Sequence, residues 1–174
     1  MGYGRAKLIG GGVAAVAVLA ALIFAFGASI RPWIYTQAMP AAYFSHFDTI
    51  KPALYQVSGP VYAFEMGFTR SLVLRTGDGI AIFDTFSDKH ATAMKQAIAK
   101  AFPAEAVRWV VFSHNHLDHI RGSALFDGAE VIAHADVSQL VADWGDTAKG
   151  IAKIARTITG DQTLMLGGLE VQAL

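Results

Sequence analysis

The chain has 174 residues, no cysteine, and 14 basic side chains balanced by 14 acidic ones. Hydrophobic residues make up 53% of it and charged residues 16%, a composition that excludes a disordered tail. The absence of cysteine excludes a disulfide scaffold or a thiolate metal site, and the balanced charge argues against a nucleic-acid partner.

The first feature along the chain is an apolar segment, Leu8–Ile30, which contains no charged residue. As a helix it would extend roughly 34 Å, and the hydrocarbon core of a bilayer is about 30 Å thick, so the segment predicts a single membrane span. Arg5 and Lys7 precede it and only Arg31 follows closely. The positive-inside rule therefore predicts a cytoplasmic N-terminus, with the rest of the chain on the exported side, periplasmic or extracellular.

Two other interpretations of residues 1–30 stay open. Ala25-Phe26-Gly27 resembles a cleavage site, and a secretory signal peptide also begins with basic residues. The run is longer than the apolar region of about 7–15 residues typical of signal peptides, and Trp33 and Tyr35 are suited to the headgroup level, which favours an anchor. A buried core helix is the third alternative.

Residues 31–50 are predicted to be a juxtamembrane connector, and residues 51–174 a domain that begins with hairpin-linked strands. Short runs of β-branched and aromatic residues predict the strands Leu54–Val57, Val61–Phe64, Ser71–Arg75 and Ile80–Phe83. A helix should follow, with Ser87 or Asp88 as its cap and Pro103 after its end. Its apolar face consists of Ala91, Met94, Ile98 and Phe102.

A β-α-β-α pattern continues beyond this helix. The nearly continuous apolar run Val107–Phe112 predicts a strand buried on both faces. The elements predicted after it are a short helix at about Gly122–Phe126, a strand at Glu130–Ala133, a helix at about Asp136–Ala142, further helical turns from Ile151 to Ile158, and a hairpin of Thr163–Leu166 with Leu169–Leu174.

Directly after the buried strand, Ser113–His119 brings together three histidines and a carboxylate. If the backbone stays extended, His114 and His116 point to the same side and converge on one ion. Asp118 and His119 follow where the chain turns, and they can be directed toward a second point nearby. Imidazole and carboxylate without thiolate suit zinc, with manganese or iron as substitutes. The alternative is a histidine cluster with no function, or one that binds metal adventitiously.

This H-x-H-x-D-H motif resembles the signature of the metallo-β-lactamase-fold hydrolases. The preceding strand, which ends in Asp84-Thr85, and the helix after it agree with that family's pattern. The resemblance covers about Leu54–Leu174 and implies an α/β protein with the αββα sandwich fold. It leaves the small-molecule substrate open, because an ester, thioester, lactone, lactam or sulfate ester all fit the superfamily.

The resemblance also implies roles for individual residues. His114 and His116 would bind a first zinc ion, and Asp118 with His119 a second, so that a complete domain would hold two. The metal pair would activate a shared water as hydroxide, and Asp118, the predicted catalytic residue, would also orient it. Asp84 would accept a hydrogen bond from a ligand imidazole, or else only cap the next turn.

The sequence departs from the family pattern in two places. Arg121 stands where the first glycine of D-H-x-G-G is expected, and it points either into the substrate cleft or to solvent. The family's later ligands, two histidines and a bridging aspartate, have no counterpart, because His134 is the last histidine and is predicted to pack or cap. His46 and His90 are given no chemical role. The sequence thus predicts only the first half of the sandwich, an incomplete domain that could self-associate.

The predicted function is an exported, membrane-tethered, zinc-dependent hydrolase that uses a metal-activated hydroxide. The alternative is a truncated, catalytically inactive module, anchored in the membrane, that binds metal or a partner. The number of zinc ions per chain would distinguish these two functions.

Overall fold

A computed structural model of the chain describes residues 51–173. The predicted anchor Leu8–Ile30 and the connector 31–50 lie outside the described residues. Within residues 51–173, no helix has the length and apolar character needed to cross a membrane.

A seven-stranded mixed sheet, with its strands in chain order, organises the described residues. The strands are β1 (Ala53–Ser58), β2 (Val61–Met66), β3 (Thr69–Arg75), β4 (Ile80–Phe83), β5 (Val107–Val111), β6 (Glu130–His134) and β7 (Arg156–Ile158). Neighbouring strands from β1 to β4 are antiparallel, and those from β4 to β7 are parallel. The residues that follow β4, β5 and β6 therefore meet at one edge of the sheet.

Helices make the connections between the parallel strands. They are α1 (Asp88–Ala101), α2 (Leu117–Ile120), a 3-10 helix (Ser123–Leu125), α3 (Ala135–Asp143) and a second 3-10 helix (Gly145–Ala148). Of the two predicted caps for α1, Ser87 is the one that acts, because its hydroxyl accepts a hydrogen bond from the His90 backbone N–H at 3.2 Å. The predicted apolar face of α1 is buried.

The two faces of the sheet are covered differently. One face packs against α1 through residues that include Val73, Ile82, Val110 and Met94. The sequence predicts the hairpin of β8 (Gln162–Leu166) and β9 (Leu169–Ala173), and this hairpin packs against the other face of the sheet. Along β5, only its last two residues are buried, and they face opposite sides, so the prediction of a fully buried strand holds for its carboxyl end alone.

The helical turns predicted over Ile151–Ile158 are wrong. Residues 151–155 form no helix, and residues 156–158 are β7. The backbone N–H of Ala155 donates to Val131 O at 2.9 Å, and that of Ala152 donates to the Ser123 hydroxyl at 2.9 Å. These bonds to distant residues replace the helical bonds that the apolar spacing suggested, so the segment extends along the sheet edge instead.

Candidate metal centre

Asp84, the first residue after β4, connects three parts of the centre. Its Oδ1 accepts a hydrogen bond from the Ser113 backbone N–H at 2.9 Å, and its Oδ2 accepts one from the Ser113 hydroxyl at 2.6 Å. The same Oδ2 lies 2.9 Å from Nδ1 of His119. The Asp84 side chain is 11% exposed, so a buried carboxylate joins the ends of β4 and β5 to α2.

The three histidines of the motif lie together at this edge of the sheet. The ring centroid of His114 is 4.6 Å from that of His116 and 4.2 Å from that of His119. His116 precedes α2 as its N-cap residue, and His119 lies within this short helix. None of the three rings belongs to the buried core, so solvent and small molecules can reach them.

Among the described residues, one group of three offers ligand atoms that all lie within 4.8 Å of one another: Asp84, His114 and His119. Proximity alone would make Asp84 a ligand. Its two oxygens, however, already accept three hydrogen bonds, from Ser113 twice and from His119. These hydrogen bonds fit the role that the family resemblance implies for Asp84, which is to orient His119.

The hydrogen bonds also fix which nitrogen each imidazole presents. Because His119 directs Nδ1 at Asp84, its Nε2 carries the free lone pair. The Ser113 hydroxyl donates its proton to Asp84, so at 2.8 Å it accepts a hydrogen bond from Nδ1 of His114. His114 is then left with a free Nε2 as well. One carboxylate thus sets the tautomer of two imidazoles, directly for His119 and through Ser113 for His114.

The electrostatic surroundings favour a neutral His114. Burial, and after it the nearby His119, lowers the pKa of His114 below its ordinary value, while Asp84 and Asp118 act in the opposite direction. A metal binds the neutral imidazole, so the lowered pKa suits a ligand. Asp118 itself lies exposed in the first turn of α2. The group of converging ligand atoms includes neither Asp118 nor His116, although the His116 ring contacts that of His114.

The segment between β4 and α1 binds α2 through its backbone. The N–H groups of Thr85 and Phe86 both donate to His119 O at 2.8 Å. The buried Thr85 hydroxyl contacts the carbonyls of Ile120 at 3.2 Å and Arg121 at 3.0 Å. This segment therefore sets the position of α2 relative to the sheet. The sequence motif indicated Asp84-Thr85, but it did not single out Ser113 or Phe86.

The remaining residues singled out in the sequence have simpler surroundings. His134 is the N-cap of α3, and its Nδ1 accepts a hydrogen bond from the Asp136 N–H at 3.2 Å, which confirms the capping prediction. Arg121 is exposed at the end of α2. A groove of about 700 Å³, whose lining includes Tyr62, Arg75 and Arg108, lies near the starts of β4 and β5, away from the histidines.

His90, in α1, is buried and is predicted to make stability depend on pH. Burial lowers its pKa from 6.5 to about 4. As pH falls, His90 therefore becomes protonated near pH 6.5 in the unfolded chain but only near pH 4 in the folded chain. The contribution of the neutral ring to folding is complete above pH 6.5 and is lost as pH falls toward 4, by up to about 3 kcal/mol.

Urea unfolding of the wild type and of His90→Gln between pH 4 and 7 measures this dependence. The stability of the variant should fall less steeply over that interval, because glutamine does not titrate there. Parallel curves for the two proteins would show that His90 contributes no such dependence.

These features define a candidate metal centre built on histidines at the carboxyl edge of an α/β sheet. Residues 65–171 match the family model described as the metallo-beta-lactamase superfamily. The chain belongs to this superfamily, whose members are metal-dependent hydrolases.

Individual relatives agree with this assignment. The chain is 28% identical over 109 residues to the 2,4-dinitroanisole O-demethylase subunit alpha of Nocardioides sp. (strain JS1661), a match that covers 61% of this chain and 33% of the relative. It superposes on a Cronobacter sakazakii metallo-beta-lactamase with a HARLDQ motif with a TM-score of 0.61 and 22% identity, covering 74% of this chain and 51% of that one. The superposition on the beta-lactamase from Chitinophaga pinensis has a TM-score of 0.61 and 18% sequence identity, and it covers 71% of this chain and 52% of that one.

The chain spans about half the length of these two solved structures and a third of the demethylase subunit. At such identities the solved structures show the fold alone.

Proposed function

We propose that this chain carries the metal centre of a zinc-dependent hydrolase that acts on a small molecule. The observation that carries the proposal is the meeting of the His114, His116 and His119 rings after β5, with the buried Asp84 behind them. Membership in a superfamily of metal-dependent hydrolases supports the reaction class. The substrates to test are an ester, a thioester, a lactone, a lactam and a sulfate ester. The name of the demethylase relative suggests one further reaction to test, the removal of an O-methyl group.

The donor set fits zinc. Two imidazoles, those of His114 and His119, keep Nε2 free because Nδ1 is already hydrogen-bonded. His116 adds a third imidazole beside them, and Asp118 adds a carboxylate at the start of α2. Nitrogen and carboxylate oxygen ligands without thiolate are typical of catalytic zinc sites. Bound zinc would act as a Lewis acid that activates water and polarises the substrate.

The side chains around the zinc would each have a separate role. Asp84 keeps two imidazoles in the tautomer that binds a metal, and the lowered pKa of His114, due first to burial, favours its neutral form. Asp118 is exposed, so its carboxylate is available as a second-ion ligand and as an acceptor that orients the attacking water. Two ions, one with His114 and His116 and one with Asp118 and His119, are the arrangement that we propose for the complete site.

Mass spectrometry of the full chain, purified without chelator, tests the metal centre. Zinc should be retained, and His114→Ala should lose most of it. His134→Ala is the matched control, because this histidine caps α3 and should leave the zinc content unchanged. Less than about 0.2 zinc per wild-type chain would contradict the proposal. Zinc without hydrolysis of any of these bonds would favour the alternative, an inactive metal-binding module.

The proposed location is the membrane, with Leu8–Ile30 as its single span and the domain on the exported side. Support comes from the uncharged run and from Arg5 and Lys7 before it. Fractionation, with protease added to spheroplasts, tests this: the domain should sediment with membranes and be digested from outside. Recovery in the soluble cytoplasmic fraction would contradict it. Light scattering of the purified chain tests self-association.

A further inference from the structure

We propose that Phe86 is a positioning residue for His119, with its ring packed against the imidazole so that the nitrogen opposite Asp84 stays directed at the metal. The inference rests on the proposed function, since it takes His119 to be a metal ligand. Phe86 would not contact the substrate, because its role is exerted through His119.

The backbone of Phe86 is the first observation. Phe86 has a φ of +56°, and Asp84, two residues earlier, has a φ of +59°. A bulky side chain in this left-handed region is strained, and such strain persists only where other interactions require the conformation. Here the N–H groups of Thr85 and Phe86 both donate to His119 O at 2.8 Å. The strained conformation is thus linked directly to the backbone of the candidate ligand.

The ring contacts are the second observation. The centroid of the Phe86 ring is 4.7 Å from that of His119, at an interplanar angle of 45°. The hydrogen bond from Nδ1 to Asp84 fixes one atom of the imidazole, and the half-buried His114 ring lies on another side of it at 4.2 Å between centroids, but one hydrogen bond does not stop the ring from rocking about its axis. An aromatic ring packed against the imidazole opposes that movement. Phe86 and Asp84 together would therefore define the orientation of His119.

The residue behind Phe86 is itself immobilised. His90 lies 4.8 Å from the Phe86 ring, between centroids, and is 2% exposed. Its Nδ1 is 2.9 Å from the Thr69 hydroxyl and its Nε2 is 3.0 Å from that of Ser71. Ser71 in turn donates to Asp84 O at 2.9 Å. Because the His90 ring is buried and has a hydroxyl oxygen within 3.0 Å of each nitrogen, it blocks movement of the Phe86 ring away from His119.

Packing in the core does not account for the position of Phe86. Its side chain is only half-buried, and it lies outside the two buried clusters of the described residues. Phe64 offers the contrast. It is fully buried and packs edge-on against His90 at 4.9 Å, so it shares that neighbour of Phe86 but serves the core.

This contrast gives a matched pair of substitutions for the full chain, Phe86→Leu and Phe64→Leu. Zinc affinity is measured by competition with a chromophoric chelator. Phe86→Leu should weaken it by about 10-fold or more, as loss of an outer-shell partner does. Phe64→Leu should destabilise the fold yet leave the affinity near that of the wild type. Phe86→Tyr keeps the ring and should also bind zinc as the wild type does.

A second measurement does not depend on zinc. In the metal-free chain, the NMR signal of the His119 Nδ1–H reports its hydrogen bond to Asp84 and its exchange with water. Phe86→Leu should speed that exchange, and Phe86→Tyr and Phe64→Leu should not. The inference is overturned if Phe86→Leu leaves the exchange of the His119 Nδ1–H unchanged. It is also overturned if Phe64→Leu speeds the exchange as much as Phe86→Leu does, or if Phe86→Tyr differs from the wild type. A wild type that binds no zinc refutes the proposed function, whereas the exchange comparison still decides the role of Phe86.

Discussion

Asp84→Ala is expected to weaken zinc binding by about 10- to 100-fold and to lower the free energy of unfolding by about 2–4 kcal/mol. The carboxylate accepts three hydrogen bonds in a position that is 11% exposed, and alanine accepts none. The N–H of Ser113 and the Nδ1–H of His119 would lose their hydrogen-bond partner. Both ligand imidazoles would also lose the group that sets their tautomer.

Chelator competition and urea unfolding measure the two losses, and two further variants separate their causes. Asparagine tolerates the left-handed backbone at this position, so Asp84→Asn should retain more stability than Asp84→Ala while still weakening zinc binding. Ser113→Ala removes the hydroxyl that connects Asp84 with His114 but keeps the hydrogen bond between Asp84 and His119, so it should have the smaller effect on zinc. Wild-type zinc affinity in Asp84→Ala would show that the carboxylate does not orient the ligands.

The parts of the fold that were predicted correctly are those that local patterns specify. Turn residues separate the strands β2, β3 and β4 from one another, and α1 has one apolar face and a serine cap. In each case the residues that determine the element lie within it or beside it. The prediction of helical turns over Ile151–Ile158 was wrong for the opposite reason. The backbone N–H groups of Ala155 and Ala152 in this segment donate to distant residues, Val131 and Ser123. No periodicity within the segment carries that information.

The geometry of the candidate site likewise goes beyond local patterns. The ring centroids of His114 and His116 lie 4.6 Å apart, but residues 113–115 are bends rather than an extended strand, so the alternation on which the prediction was based is not what brings them together. The shorter approach, between His114 and His119 at 4.2 Å, depends on how α2 is oriented. That orientation comes from Thr85 and Phe86, whose N–H groups bind a carbonyl more than 30 positions further along the chain. The strained backbone at Phe86 has no signature in the residue types, so its contact with His119 could not be predicted.

Asp118→Ala is expected to lower the hydrolytic rate by about 10²- to 10⁴-fold, the range that a positioned proton acceptor contributes. It should change the free energy of unfolding by less than about 1 kcal/mol, because Asp118 is exposed in the first turn of α2. The rate is measured with whichever bond class the wild type hydrolyses, and zinc content is measured alongside. Loss of one of two zinc ions would assign Asp118 to the second ion.

Asp136→Ala is the matched control for this variant. Asp118 follows the N-cap His116 of α2 by two residues, and Asp136 follows the N-cap His134 of α3 by two residues. Each substitution therefore removes one carboxylate from the first turn of a helix, an interaction with the helix dipole worth about 0.3–1 kcal/mol. Of these two carboxylates, only Asp118 acts on the pKa of His114, so Asp136→Ala should keep full rate and zinc content. Equal rates in the two variants would mean that Asp118 only stabilises its helix, and that the proton acceptor of the reaction is another group.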